Sequence, residues 1–357
     1  MTGEDGEFKL ELSSGINILC GPNAQGKTNI VEAVYFCATA HSHRTGQARE
    51  MIGFGQDFAG IQAVIARGAG REYRNKVHLV IKNTGRNMVS KQAAVNGVAI
   101  GKLTDLLGVL YCVIFSPEDL KLIKSGPSER RRFIDMELCQ VNRVYYFELN
   151  QYYKILKQRN SLLKSLQKKS EGQLFETLDM WDAQLAERGE RITIMRRAYI
   201  EGISLLAAKI HAGLCGEELR ALYKPSAESG ELHERLIKNR RRDIHTGITS
   251  AGIHKDDVTF LIDGLDSRLY GSQGQQRTAA LSLKLAEVEL IRREKGENPV
   301  LLLDDVMSEL DKNRQEQLLA CITGIQTLIT CTTAENLSTV KDAAKFTVSG
   351  GWVNTEK

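Results

Sequence analysis

The run Gly21-Pro22-Asn23-Ala24-Gln25-Gly26-Lys27-Thr28 constrains this chain more than any other stretch, because it works only inside one local fold. Its spacing is that of a phosphate-binding P-loop. Gly21 and Gly26 let the backbone turn tightly and aim N–H groups at phosphate oxygens. Lys27 supplies a compact positive charge for the β- and γ-phosphates and Thr28 offers a hydroxyl to Mg²⁺, and Asn29 is counted with the loop as nucleotide-binding. The flanks agree with a strand–loop–helix unit. Ile16, Ile18, Leu19 and Cys20 make an apolar run broken only by Asn17, and Ile30, Val31, Val34 and Cys37 mark one face of a helix expected over 28–40. The dipole of that helix adds to the anion site.

A length of 357 residues leaves room for two domains. Hydrophobic content of 42% and charged content of 26% are those of a soluble globular chain. No apolar run reaches the roughly 18 residues of a membrane span. The acidic opening MTGEDGEFK resembles neither a signal nor a transit peptide, so a cytoplasmic protein with no membrane partner is expected. Seven scattered cysteines with no C-x-x-C pair read as reduced core residues. His41 and His43 lack Cys or carboxylate neighbours, so a solvated helix end, or an arginine (Arg44) used near phosphate, explains that stretch better than a metal site.

Along the chain, residues 8–13 alternate as a strand leading into the P-loop strand, and 58–66, 73–82 and 88–95 read as an antiparallel meander. Val109–Phe115 reads as a buried strand, with Pro117 opening a helix. From Asp119 the pattern turns helical for about 120 residues, with helices over 128–138, 144–166, 174–214 and 231–242. A seam of Leu156, Leu162, Leu163 and Leu166 implies a long antiparallel pair, turning at 169–172. Strand signal returns at 257–262. A helix follows to about Glu294, then a buried strand over 299–303, a helix over 313–322 and a strand over 328–332. The expectation is an α/β fold with a mixed sheet and a meander, made of residues 1–120 and 246–357, carrying an inserted helical arm over 121–245.

Two further motifs carry chemistry. Val300–Leu303 followed by Asp304 is a Walker B element: a buried strand delivers Asp304 to the Mg²⁺ shell, and Asp305 is placed to orient or deprotonate water. Ser272-Gln273-Gly274-Gln275-Gln276-Arg277 opens a helix and makes a second phosphate-binding corner. Two corners but one P-loop make sense if two chains meet face to face, each offering Ser272, Gly274 and Gln275 to the nucleotide of the other.

The chain resembles the RecF family, bacterial recombination mediators of the ABC/SMC ATPase group. The stretches that carry the resemblance are GPNAQGKTNIVEAVYF, SHRT, FSPEDLKLIKSGPSERRRFID, YYKILKQRNSLLK, SAGIHKDDV, YGSQGQQRTAALSLKLAEVELI and PVLLLDDVMSELD. It implies an ABC-type head binding ATP with Mg²⁺. Ser272 and Gly274 would lie on a signature that touches the γ-phosphate across a homodimer, and Ser308–Asp311 on the D-loop. Asp305 takes the position that is Glu in ABC transporters, and its shorter reach implies slow hydrolysis. Phe115–Glu118 falls at the Q-loop and Thr332-Thr333 at the H-loop. Family members open with an additional strand and an Asn-Phe-Arg segment on the adenine side, and this sequence starts in what matches their second strand. The resemblance also implies roles in DNA repair, recombination, replication and the SOS response to DNA damage. It implies duplex DNA and single-strand/double-strand junctions as ligands, and RecR and RecO as partners that help load RecA.

Residues 121–170 hold twelve Lys/Arg against four Asp/Glu in a chain whose net charge is only +4. Lys121, Lys124, Arg130, Arg131 and Arg132 are the concentrated part and the candidates for the DNA backbone. Lys27 and Asp305 are the candidate catalytic pair of a weak DNA-dependent ATPase. A transporter ATPase subunit fits the long helical insertion poorly, and a P-loop kinase has no use for a second corner.

Overall fold

The structure, a computed structural model, describes residues 8–67, 73–85, 88–168, 172–333 and 342–356. Two compact units divide the chain, residues 1–119 with 287–357 and residues 120–286.

The first unit begins with β1 (Ile16–Cys20), the P-loop and α1 (Lys27–Thr39). Asn17, the polar interruption of β1, is fully buried and has a structural task. Its side chain accepts from the Ser13 N–H at 2.7 Å and donates to the Ser13 and Gly15 carbonyls. Residues 8–13 are not a strand. At Ser13 the peptide groups are taken by side chains, Asn17 and Gln326, instead of a ladder. The meander is as expected: β2 (Phe58–Arg67), β3 (Tyr73–Gly85), β4 (Met88–Val95) and a short β5 (Val98–Ala99) pair in that order, antiparallel throughout. The buried strand β6 is confined to Cys112–Phe115. Its expected first residues are drawn into a turn, where Arg67 donates to the carbonyls of Gly108 and Val109.

The second unit holds α2 (Leu120–Lys124), α3 (Pro127–Val141), α4 (Arg143–Leu166), α5 (Gly172–Cys215), β7 (Leu219–Lys224), α6 (Leu232–Thr246), β8 (Asp257–Ile262), β9 (Leu265–Asp266) and α7 (Ser267–Tyr270). It ends within α8 (Gln273–Lys295). Helices α4 and α5 run antiparallel. Leu163 and Leu166 pack on Leu178, Arg159 bonds Asp182, and Tyr145 bonds Arg196, so one number falls as the other rises. Of the expected turn at 169–172, residues 169–171 lie outside the described residues.

The second boundary differs from the expected 245/246. Strand β8 does not lead back to the first unit. It pairs with β7, Leu219 opposite Ile262 through Lys224 opposite Asp257, in a three-stranded sheet with β9. β7 is only six residues, LRALYK, behind a helix of 44, and those letters suit a continued helix equally well. The middle of this unit is held by charge as much as by leucine. Arg159 is wholly buried between Asp182 and Asp243, and Arg196 between Asp135 and Asp256.

The chain completes the first unit with β10 (Val300–Leu303), α9 (Lys312–Cys321), β11 (Thr327–Cys331), β12 (Ala344–Ser349) and β13 (Trp352–Glu356). The sheet order is β13-β12-β1-β11-β10-β6, parallel except for β13. This order puts β1 and β10 on either side of β11, so the P-loop and the Walker B acids leave the same sheet edge. The β12–β13 hairpin turns through Gly350-Gly351, a pair whose turn signal sequence reasoning missed.

Candidate functional site

The P-loop is shaped by close approach. Gly21 lies against the Val348 carbonyl of β12, where any Cβ would collide. Gly26 (φ 101°) and Ala24 (φ 63°) take the left-handed conformations the loop needs. Gln25 is clamped from the β12–β13 turn, the Gly350 N–H donating to its Oε1 at 2.5 Å. Lys27 is 8% exposed, and its amine donates to the carbonyls of Gly21 (2.6 Å) and Pro22 (2.8 Å). Both acceptors are neutral, so the charge remains available to an anion in the loop.

Thr28 Oγ1 donates to Asp304 Oδ1 at 3.1 Å. A hexacoordinate Mg²⁺ with bonds of about 2.1 Å separates neighbouring ligand oxygens by about 3.0 Å, so the spacing of these two hard oxygens suits that ion once the Thr28 hydroxyl proton turns away. Thr330 on β11, which sequence reasoning missed, organises both acids. Its hydroxyl accepts from the Asp305 N–H at 2.8 Å, which directs its own proton to Asp304 Oδ1, also at 2.8 Å. Only the parallel register reveals this neighbour: Leu303 pairs with Ile329, so the residue after each strand position faces the other. Asp305 sits at φ 56°, and Ser308 Oγ is a donor to its carbonyl at 2.8 Å and to its carboxylate Oδ1 at 3.1 Å, which ties the candidate base to the stretch matched to the D-loop.

Other expectations land nearby. Arg44 reaches Asn29 Oδ1 at 3.3 Å and Glu32 at 3.8 Å, so it stands beside the start of α1. His43 packs edge-on against Tyr35, and burial pushes its pKa down to about 4, so it is neutral at pH 7. Ser116 at the Q-loop position donates its N–H to Asp119, closing a turn before α2.

The second corner is a capping box. The Ser272 N–H donates to Gln275 Oε1 (2.8 Å) and the Gln275 N–H donates to Ser272 Oγ (3.2 Å). Ser272 is exposed and Gly274 half-buried, at the N-terminus of a helix 23 residues long.

The basic cluster separates into two kinds. Arg130 is 4% exposed and grips Asp257 with two nitrogens, at 2.6 and 3.1 Å, while its third donates to Ser125. This corrects the expectation that Arg130 meets DNA: its fork is committed to a carboxylate. Arg131 is half-buried and donates to the Asp256 carbonyl. Lys121, Lys124 and Arg132 are exposed.

A P-loop and Walker B acids on one parallel sheet, an antiparallel meander and a mostly helical second unit define the class: an ATPase head of the ABC/SMC type. Residues 4–352 match the family model described as RecF/RecN/SMC N terminal domain. The chain is 46% identical over 328 residues to a DNA replication and repair protein RecF of Lachnospira eligens, covering 91% of this chain and 88% of that protein. It is 43% identical over 366 residues to the protein so named in Bacillus cereus, covering 98% and 95%. A solved recombination mediator RecF with ATP, described as belonging to the RecFOR pathway, superposes with a TM-score of 0.90 at 37% identity, covering 99% and 94%. An Smc head bound to the C-winged helix domain of ScpA shares the fold, with a TM-score of 0.53 at 16% identity. This chain belongs to the RecF family. Among its described residues no helix is long and apolar enough to cross a membrane.

Proposed function

We propose that this chain is an ATP-switched DNA clamp of recombinational repair and replication restart. The observation that carries the reading is the 3.1 Å contact between Thr28 and Asp304 inside a P-loop whose lysine faces neutral carbonyls, a site built for a triphosphate and one hard cation. Lys27 exchanges its carbonyl partners for the β- and γ-phosphates. Thr28 and Asp304 would hold Mg²⁺, which would supply neutralising charge beside those phosphates. Asp305 accepts the proton of a water whose oxygen attacks the γ-phosphorus, while the bond to the ADP oxygen breaks. Thr330 and Ser308 hold Asp305 in place for that transfer.

The corner at Ser272, Gly274 and Gln275 completes the site of a second copy, so ATP closes a homodimer and hydrolysis opens it. Support comes from a helix N-terminus whose capping serine stays exposed. Duplex or gapped DNA is held through its phosphates by Lys121, Lys124 and Arg132. This makes the activity a weak DNA-dependent ATPase in the cytoplasm, working with RecR and RecO to help load recombinase on single-stranded gaps, as the family resemblance implies. Asp305→Asn tests the chemistry. It should bind ATP and Mg²⁺ normally, lose turnover, and prolong the ATP-dependent complex with DNA. Hydrolysis at the native rate would remove Asp305 as the base.

A further inference from the structure

The last turn of α5 carries a cluster that the nucleotide site does not use. His211 and Cys215 are four apart and share a helix face. Gly216, at φ 77°, then turns the chain so that Glu217 returns to the same side. One donor atom from each of the three lies within 4.8 Å of the others.

Hydrogen bonding fixes the tautomer of His211. Ser282 Oγ gives its proton to the Thr278 carbonyl at 2.7 Å. Its 3.0 Å contact with His211 Nδ1 therefore needs Nδ1–H as donor, which leaves Nε2 with a lone pair. His211 is 0% exposed, and Nε2 has no hydrogen-bond partner among the described residues. It faces Glu217 Oε2 at 3.6 Å, and the Cys215 thiol, 3.3 Å from the His211 carbonyl, is also a donor to that same carboxylate oxygen at 3.5 Å. A buried nitrogen lone pair aimed at a carboxylate is unfavourable with neither a proton nor a cation between them.

We propose that His211, Cys215 and Glu217 bind one zinc ion, with water as the fourth ligand. Imidazole, thiolate and carboxylate together are a borderline-soft set suited to that ion. Tetrahedral zinc bonds of about 2.0 Å to N and O and about 2.3 Å to S place the oxygen about 3.3 Å from the nitrogen and about 3.5 Å from the sulfur. The observed separations of 3.6 and 3.5 Å match those two edges, and the nitrogen and sulfur, within 4.8 Å of one another, must close to about 3.5 Å on binding. Loss of the thiol proton leaves one thiolate and one carboxylate, which cancel the ion's charge. The outer shell is also present: Ser282 orients the imidazole, and Gln275 Nε2 donates to Glu217 Oε1 at 2.7 Å, leaving Oε2 for the metal. Gln275 is also the residue that caps Ser272, so the ion would brace the start of α8.

The test uses the full chain, stripped with a chelator and titrated with Co²⁺. One equivalent should give a thiolate-to-cobalt band and intense tetrahedral visible bands, both displaced by Zn²⁺. Cys215→Ser should abolish the thiolate band. Glu217→Gln should weaken zinc, measured by competition with a chromophoric chelator, by at least about tenfold. The sulfurs of Cys20 and Cys331 lie 3.0 Å apart and are the competing thiol pair, so Cys20→Ser should leave the band intact. Absence of the band, or its survival in Cys215→Ser, would overturn the proposal. If Cys215→Ser fails to fold, Glu217→Gln decides, and unchanged zinc affinity there would overturn it equally.

Discussion

Lys27 of the P-loop and Arg130 of α3 are both nearly buried cations, 8% and 4% exposed, yet they differ in what their charge can do. The Lys27 amine donates to two backbone carbonyls, which are neutral and can be exchanged for phosphate oxygens. The Arg130 guanidinium lies across the Asp257 carboxylate, and the pair has no net charge to offer. Availability to an anion is therefore set by the partner, and neither burial nor local net charge reveals it.

Four perturbations sharpen that contrast. The largest effect is expected for Lys27→Ala, which removes the charge proposed to meet the β- and γ-phosphates. ATP binding, followed by calorimetry or a fluorescent analogue, should be lost, and full binding would remove Lys27 from the site. Arg130→Ala should leave ATP binding intact but destabilise the second unit by about 2 kcal/mol, since Asp257 is left without its partner in a partly exposed pair. Chemical denaturation reads this, and an unchanged midpoint would mean the pair is not structural.

A third effect compares the units through two histidines. Burial pushes His43 of the first unit and His254 of the second down to about 4. Both stay neutral in the folded chain while the unfolded chain takes up protons from about pH 6.5 downward, so stability is full above that pH and falls between about 6.5 and 4. The loss is on the order of 3 kcal/mol for each histidine. An unfolding free energy that is flat across this window contradicts it.

The smallest effect is expected at the exposed cations. Combined Lys121→Ala, Lys124→Ala and Arg132→Ala should flatten the log-affinity versus log-salt slope for duplex DNA by about 0.9 for each phosphate no longer neutralised. Arg130→Ala should not change that slope. The opposite pattern would mean that the exposed residues face solvent only.

The same contrast explains what could be read in advance. The P-loop and Asp304 were legible because each position answers a backbone or coordination demand local to a few residues. The long helices and the meander were legible from periodicity. Thr330 was not, because its role depends on the register of β11 against β10, a pairing between strands more than twenty residues apart. The partner of Arg130 was hidden for the same reason, at a separation of 127 residues. β7 was missed because six ambiguous letters became a strand only by pairing with β8.

The central claim is that the corner at Ser272 serves the nucleotide of another copy, and one measurement tests it most directly. Ser272→Arg and Lys27→Ala are each assayed for ATP hydrolysis alone and then mixed. Ser272→Arg should bind ATP but not hydrolyse it, since Lys27, Thr28 and Asp304 are intact while bulk and charge block the partner's γ-phosphate. Lys27→Ala should be silent because its own P-loop is empty of charge. The mixture should regain part of the native rate, because the intact P-loop of one variant meets the intact signature of the other. Native hydrolysis by Ser272→Arg alone, or a mixture that stays silent, would contradict a site shared between two chains.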